Sequence, residues 1–262
     1  MNIVVCVKYV PDAQSERTFS EDKTTERESV DGLLSELDEY AVEEALTVAE
    51  DHDGEVTVLT MGPDEAATAI KKSLQMGAHR GVHINDSGIA GSDSVGTSLV
   101  LAKAIEKIGE QGSVDIIITG LASTDGVMSV VPAMLAERLG LPQVTFAAQL
   151  SIDGELVRIR RDGEVASETI EATLPALVSV TDQINDPRYP SFKGIMAAKK
   201  KPVEEWSLAD IGVDPADVGL DAAWSRVISI TERPPRSQGE IVTDDGNGGQ
   251  ALADFLTTHK FA

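Results

Sequence analysis

Apolar residues crowd the opening run NIVVCVKYV, which stops at Pro11 and Asp12. An unbroken apolar run of this kind is what a strand buried on both faces requires. Asp12 to Gly32 is polar and charged, and predicts an exposed connection. From Glu36 the spacing changes: Leu37, Tyr40, Ala41, Ala45 and Val48 recur at helical intervals until Gly54 ends the pattern. EVTVLTMG then predicts a second strand, followed by a helix starting near Pro63, a residue favoured in a first turn. GVHIND predicts a short strand, SDSVGTSLVLAKAIEKIGE a helix capped by Ser92 or Asp93, and VDIIITG another buried strand. SVVPAMLAERLG predicts a helix that Gly140 closes.

Strand and helix alternate from residue 2 to about residue 140. That grammar predicts an α/β fold with a parallel-core sheet and helices on both faces. Ligands of such sheets bind beyond the carboxyl ends of the strands. After Pro142 the pattern becomes short β-type runs separated by DG pairs at Asp153-Gly154 and Asp162-Gly163, which signal antiparallel hairpins added to the sheet. The expected division is a nucleotide-binding α/β domain over 1–201 and a C-terminal arm over 202–262. Proline, glycine and acid density in the arm predict an extended segment that ends in the amphipathic stretch ALADFLTTHKFA.

Charge narrows the partners. The chain has 44 acidic against 22 basic residues, a formal net charge of -22. Such a surplus repels phosphate backbones and anionic lipid, so nucleic acid and membrane insertion are not expected. No apolar run approaches the roughly 18 residues a membrane helix needs, and MNIVVCVKYVPD lacks a basic n-region. A cytoplasmic location is the expectation. The single cysteine, Cys6, lies inside an apolar run and reads as a small core residue, not a nucleophile.

The loop Thr119–Pro132, TGLASTDGVMSVVP, carries the most chemical information. It leaves a buried strand and enters a helix, so backbone N–H groups and the positive end of the helix dipole face whatever lies above the strand. Gly120 and Gly126 allow close backbone approach, and Ser123, Thr124 and Ser129 add hydroxyls suited to phosphate. CVKYVPD and LTMGP end on the same edge, where Met61 and Gly62 would offer a flat wall to an aromatic ring. His52, His79, His83 and His259 lack a cysteine or acidic cluster at ligand spacing, so no metal site is expected. The hydrolase elbow G-x-S-x-G is absent as well, and the chain reads as a binder with no catalytic residue. One segment opposes the overall charge: between Pro187 and Lys201 there is no acid, yet Arg188, Lys193, Lys199, Lys200 and Lys201 occur together with Tyr189, Phe192 and Met196.

The pieces VCVKYVPD, DEYAVEEAL, VTVLTMGP, SLQMGAHRGVHI, GLASTDG, LAERLGLPQVTFA, EATLPALVSV and NDPRYPSFKGIMAAKKK together resemble the beta subunit of electron transfer flavoprotein. The resemblance implies an adenine nucleotide alpha-hydrolase-like fold and a heterodimer whose alpha subunit holds most of the redox FAD. It implies electron carriage from acyl-CoA dehydrogenases and similar flavin dehydrogenases to a quinone oxidoreductase, as in fatty acid β-oxidation, and an AMP in the beta subunit. Carried over, the nucleotide contacts are Cys6, Val7, Ser35, Asp38, Met61, Gly62, Gly120, Leu121, Ala122, Ser123, Thr124, Asp125, Gly126, Val127, Met128, Ser129, Val130 and Val131. Tyr189, Phe192, Ile195 and Met196 align with the loop that docks dehydrogenases, with Phe192 as anchor and the lysines steering or capping a short helix. Arg160, Arg161 and Asp162 align with the alpha-subunit side, and the arm is expected to pack on that subunit. Here the loop reads STDGVMSVV where many relatives carry an acid- and amide-rich form, and Ser35 replaces an Asn. Members that bifurcate electrons hold a second FAD in this pocket, which remains the alternative to AMP. A free-standing adenine-nucleotide sensor resembling universal stress proteins is the alternative from another class.

Overall fold

The computed structural model describes residues 1–236, 239 and 241–261. Ser237, Gln238, Glu240 and Ala262, all within the expected arm, lie outside the described residues. Contacts divide the chain into two units, Met1–Ile228 and Ser229–Ala262.

The first unit is built from eleven strands and five α-helices in the order β1 (Asn2–Cys6), β2 (Tyr9–Pro11), β3 (Gly32–Leu34), α1 (Glu36–Asp51), β4 (Glu55–Met61), α2 (Ala67–Met76), β5 (Arg80–Ile84), α3 (Ser94–Glu110), β6 (Ile116–Gly120), α4 (Val131–Leu139), β7 (Gln143–Asp153), β8 (Leu156–Asp162), β9 (Ser167–Thr173), β10 (Ala176–Val180), α5 (Phe192–Ala198) and β11 (Val203–Trp206). Nine strands form one sheet in the order β11-β5-β4-β1-β6-β10-β7-β8-β9. Pairing is parallel from β11 to β7, and β8 and β9 follow antiparallel. The expected α/β class, with a parallel core and hairpin additions, is what the chain adopts.

Each face of the sheet buries its own core, because successive side chains of a strand point to opposite sides. Ile3, Val5, Val58, Ile116, Ile118 and Val178 meet α1 and α2 through Ala41, Ala45, Leu46 and Ile70. Val4, Leu59, Ile117 and Leu177 meet α3 and α4 through Val100, Ala104, Ile105 and Leu135. Caps fall where the sequence placed them. The Asp93 carboxylate accepts from the Val95 and Gly96 N–H groups at the start of α3, and Gly140 ends α4 in a left-handed conformation.

Three expectations differ from the fold. The apolar run from Asn2 does not stay one strand: it leaves the sheet after Cys6, and Tyr9–Pro11 pairs instead with Gly32–Leu34. Asp12–Asp31 is not a simple exposed connection, since Ser15, Arg17 and Arg27 are half-buried and the segment folds back toward the β6–α4 loop. The expected boundary at residue 201 falls inside the unit, because β11 adds to the sheet beside β5, and Trp206, Leu208, Ile211, Val213 and Val218 complete the second core. In Ser229–Ala262 the amphipathic stretch forms α6 (Gly248–Thr258), followed by Phe261, with Phe255 and His259 rings 4.4 Å apart. No helix among the described residues is long and apolar enough to cross a membrane.

Candidate functional site

β4, β1 and β6 are neighbours, and all three end on one edge of the sheet. Register places Cys6 opposite Leu59 and Thr119, so Cys6, Thr119 and Met61 share a face at that edge. Beyond Cys6 the chain is held by long-range contacts. Val7 N–H donates to the Leu59 carbonyl at 2.9 Å, and Ser35 N–H to the Lys8 carbonyl at 2.9 Å. Lys8 N–H in turn donates to the Asp38 carboxylate at 2.8 Å. These bonds draw the start of α1 against the end of β1 and explain why the first strand stops.

Gly120, the last residue of β6, sits directly against this junction. A Cβ there would lie 2.6 Å from Asp38 Oδ1 and 2.9 Å from the Leu37 carbonyl, a distance no side chain tolerates. Ser35 is fully buried and makes no side-chain bond to its own helix; its hydroxyl accepts from Thr124 N–H at 3.4 Å. The loop Leu121–Val130 is therefore anchored over the strand ends and not merely connected to them.

Asp125 is the centre of that anchorage. Its side chain is 2% exposed, with Lys8 Nζ at 2.9 Å and the Arg27 guanidinium on the same oxygen. Burial works against its ionisation, but the Lys8 and Arg27 charges override it and hold the carboxyl well below the usual range. Gly126 N–H adds a bond to Asp125 Oδ1 at 2.7 Å. Downstream, Val127 and Ser129 both have positive φ, 51° and 56°. Left-handed backbone at a β-branched residue is strained, and such strain persists only where its surroundings enforce it. Val127 and Met128 are 67% and 63% exposed, so the loop presents an apolar tip.

Asp38 behaves in the opposite sense. Burial pushes its carboxyl up to about 7, against the Lys8 N–H bond and the Lys8 charge, with Asp125 adding to the rise. Cys6 stands nearby, and burial together with Asp38 pushes its thiol to about 12, which removes it as a nucleophile.

Polar atoms near the loop suit a bound polar group. Thr119 Oγ1, Thr124 Oγ1 and Arg17 Nη1 are buried and have no hydrogen-bond partner. Buried donors and acceptors without partners cost free energy unless something satisfies them. Cys6, Val7, Ser35, Asp38, Gly120, Ser123, Thr124 and Asp125 are thus brought together, with Met61 one strand away and turned partly into the second core. Gly62 takes a structural position, its N–H on the Ile84 carbonyl and its own carbonyl 3.0 Å from His83 Nε2. Lys8, Arg17 and Arg27 are the contributors that sequence reasoning missed. Lys8 lay inside an apparent strand and the two arginines in an apparent surface loop.

The basic segment is a second feature, on another part of the unit. Arg188 grips α1: its guanidinium bonds Glu43 at 2.8 to 3.0 Å and Glu50 at 2.6 Å, and its N–H bonds Glu43 at 3.0 Å. Asn185 Nδ2 adds bonds to the Tyr40 carbonyl at 3.1 Å and to Glu44 at 3.0 Å. At the other end Lys201 Nζ donates to the Leu74 and Gly77 carbonyls at 3.0 and 2.9 Å, capping α2 and not the segment's own helix. Gly194 packs on α2 so closely that a Cβ would meet the Gln75 carbonyl at 2.5 Å. Between these ties Tyr189 and Phe192 are 92% and 80% exposed, with Ile195 and Met196 beside them. The hairpin residues are engaged locally: Arg160 pairs with Asp162 at 2.9 Å, and Arg161 bonds the Thr145 carbonyl at 2.8 Å.

A family model described as the electron transfer flavoprotein domain matches residues 23–211. The electron transfer flavoprotein subunit beta of Mycobacterium tuberculosis is 48% identical over 99% of this chain and 98% of its own. The subunit of that name from Clostridium acetobutylicum is 36% identical over 92% of both chains. The chain belongs to the beta-subunit family of electron transfer flavoproteins. The family also includes a relative from Acetobacterium woodii named caffeyl-CoA reductase-Etf complex subunit CarD, 35% identical over 93% of this chain and 92% of its own. As a beta subunit the chain is part of a flavin-based electron carrier, which implies an alpha-subunit partner and not a self-contained enzyme. A free-standing nucleotide sensor has no support beside a match of this extent.

Two outcomes follow from the geometry of this beta subunit. Between about pH 4 and pH 7 a folded Asp38 holds a proton that its unfolded counterpart has lost, so stability falls as pH rises through that window. The limit is about 1.4 kcal/mol per pH unit, and Asp38→Asn flattens it, measured as the urea midpoint of the heterodimer from pH 5 to pH 8. Arg188→Met costs about 1–2 kcal/mol, chiefly from the uncompensated Glu43 carboxylate, whose side chain is 10% exposed. Adding Glu43→Gln restores part of that loss in a double-mutant cycle.

Proposed function

We propose that the chain pairs with an electron transfer flavoprotein alpha subunit, helps to hold its FAD, and buries AMP above the ends of β1, β4 and β6. In this reading the pair carries electrons from acyl-CoA dehydrogenases and similar flavin dehydrogenases to a quinone oxidoreductase. The observation that carries it is the anchored loop Leu121–Val130 with buried polar atoms beside it that lack partners, in a chain of the beta-subunit family. Flavin supplies the redox chemistry when bound. The chain's own residues bind and orient. Cys6, Val7, Ser35, Asp38, Met61 and Gly62 would line the nucleotide, with Gly120, Leu121, Ala122, Ser123, Thr124, Asp125, Gly126, Val127, Met128, Ser129, Val130 and Val131 closing over it.

Tyr189, Phe192, Ile195 and Met196 are the proposed docking face for the dehydrogenase. Their exposure between two fixed ties supports this, since a preformed apolar loop loses little conformational freedom on binding. Arg160, Arg161 and Asp162, together with the arm, are assigned to the alpha-subunit interface. In the arm, α6 exposes Leu252 and Phe255, an apolar face suited to a partner surface.

Phe192→Ala is expected to slow reduction of the heterodimer by an acyl-CoA dehydrogenase about ten-fold at limiting carrier, with flavin content unchanged; an unaltered rate rules out this docking face. Nucleotide released on denaturation tests the pocket. One FAD and one AMP per heterodimer match simple transfer, whereas two FAD and no AMP identify the bifurcating form.

A further inference from the structure

Arg17 has no counter-ion among the described residues. It sits half-buried in the segment that folds back over the β6–α4 loop, with Nη2 3.5 Å from the Thr124 carbonyl and Nη1 buried without a partner. The nearby carboxylates are already engaged: Asp125 serves both Lys8 and Arg27, and Asp38 accepts from Lys8 N–H. Lys8 and Arg27 thus share one firmly ionised carboxylate, and Arg17, held at the neighbouring Thr124 carbonyl, is left over in a chain with 44 acidic residues. A charge withdrawn from water is paired or is held for a partner. Thr124 Oγ1, beside the carbonyl that Arg17 approaches, also lacks a bond, and the first turn of α4 has no side-chain cap.

We infer that Arg17 recognises a phosphoryl group of the nucleotide bound at this loop. A guanidinium presents parallel N–H donors that match phosphoryl oxygens, which gives the site an anion-reading element distinct from its contacts to the base. The inference rests on the nucleotide pocket proposed above and adds which residue distinguishes a nucleotide from its nucleoside.

The test uses the heterodimer, depleted of bound nucleotide and titrated by equilibrium dialysis with AMP and with adenosine. Arg17→Ala is expected to weaken AMP binding about ten-fold or more while adenosine binding stays unchanged. Arg17→Lys is expected to recover part of the difference, keeping the charge and losing the fork. Retention of the alpha subunit and an unchanged urea midpoint of the nucleotide-depleted heterodimer show that both variants fold. If wild type carries a second FAD in place of AMP, the comparison is FAD against riboflavin and the same loss is expected, which assigns the anion to a pyrophosphate. An AMP-to-adenosine preference that Arg17→Ala leaves intact overturns the inference. So does loss of the alpha subunit from Arg17→Ala with that preference preserved, since the partner would then supply the counter-charge. A wild-type heterodimer that holds neither AMP nor a second FAD instead removes the pocket itself.

Discussion

The Asp125 carboxylate, enclosed between Lys8 and Arg27, is the contact on which the strand-end site depends. It joins three pieces of chain far apart in sequence: the exit of β1, the segment between β2 and β3, and the loop after β6. An ion pair on an open surface contributes little, but this acid is 2% exposed and two cations share one of its oxygens. Removing one partner would leave charge stranded in the protein, so the arrangement holds together as a unit. The positive φ angles at Val127 and Ser129 are sustained by a loop fixed in this way at its start and continued into α4 at its end.

The second constraint is steric. Gly120 allows the β6 backbone to touch the start of α1, which brings Asp38 to the end of β1 and the Ser35 hydroxyl to Thr124. Asp38 and Asp125 then differ sharply in acidity although both are enclosed. One faces cationic side chains, and the other chiefly backbone N–H groups and desolvation. The raised Asp38 carboxyl lessens the repulsion between the two acids as the pH falls below about 7.

Much of this was legible in the sequence, and the boundary of legibility has a physical meaning. The βα alternation, the Asp93 cap, the Gly140 stop and the hairpin at Asp153-Gly154 are local signals, and the structure contains each of them. The strand-end convergence followed from the parallel-sheet rule once the alternation was read. What did not show were interactions whose partners lie far along the chain. Lys8 looked like a residue of a buried strand, yet its N–H bonds Asp38 and its ammonium reaches Asp125. Residues 203–218 looked like an arm because acids, glycine and proline break up the apolar positions, yet Trp206, Leu208 and Ile211 lie in the second core.

The basic segment joins both lessons. Its charge first reads as a surface for attracting partners, but two of its five cations are consumed internally, Arg188 by α1 and Lys201 by the carbonyls at the end of α2. Lys193, Lys199 and Lys200 remain exposed, so any long-range steering belongs to them. Attachment and recognition are therefore divided between residue types. Charge spends its geometry holding the loop to the scaffold, and apolar side chains, which need no counter-ion, are left facing outward between the two ties. Such a loop presents a surface whose shape is set before a partner arrives, and its grip on that partner is set by contact area far more than by salt.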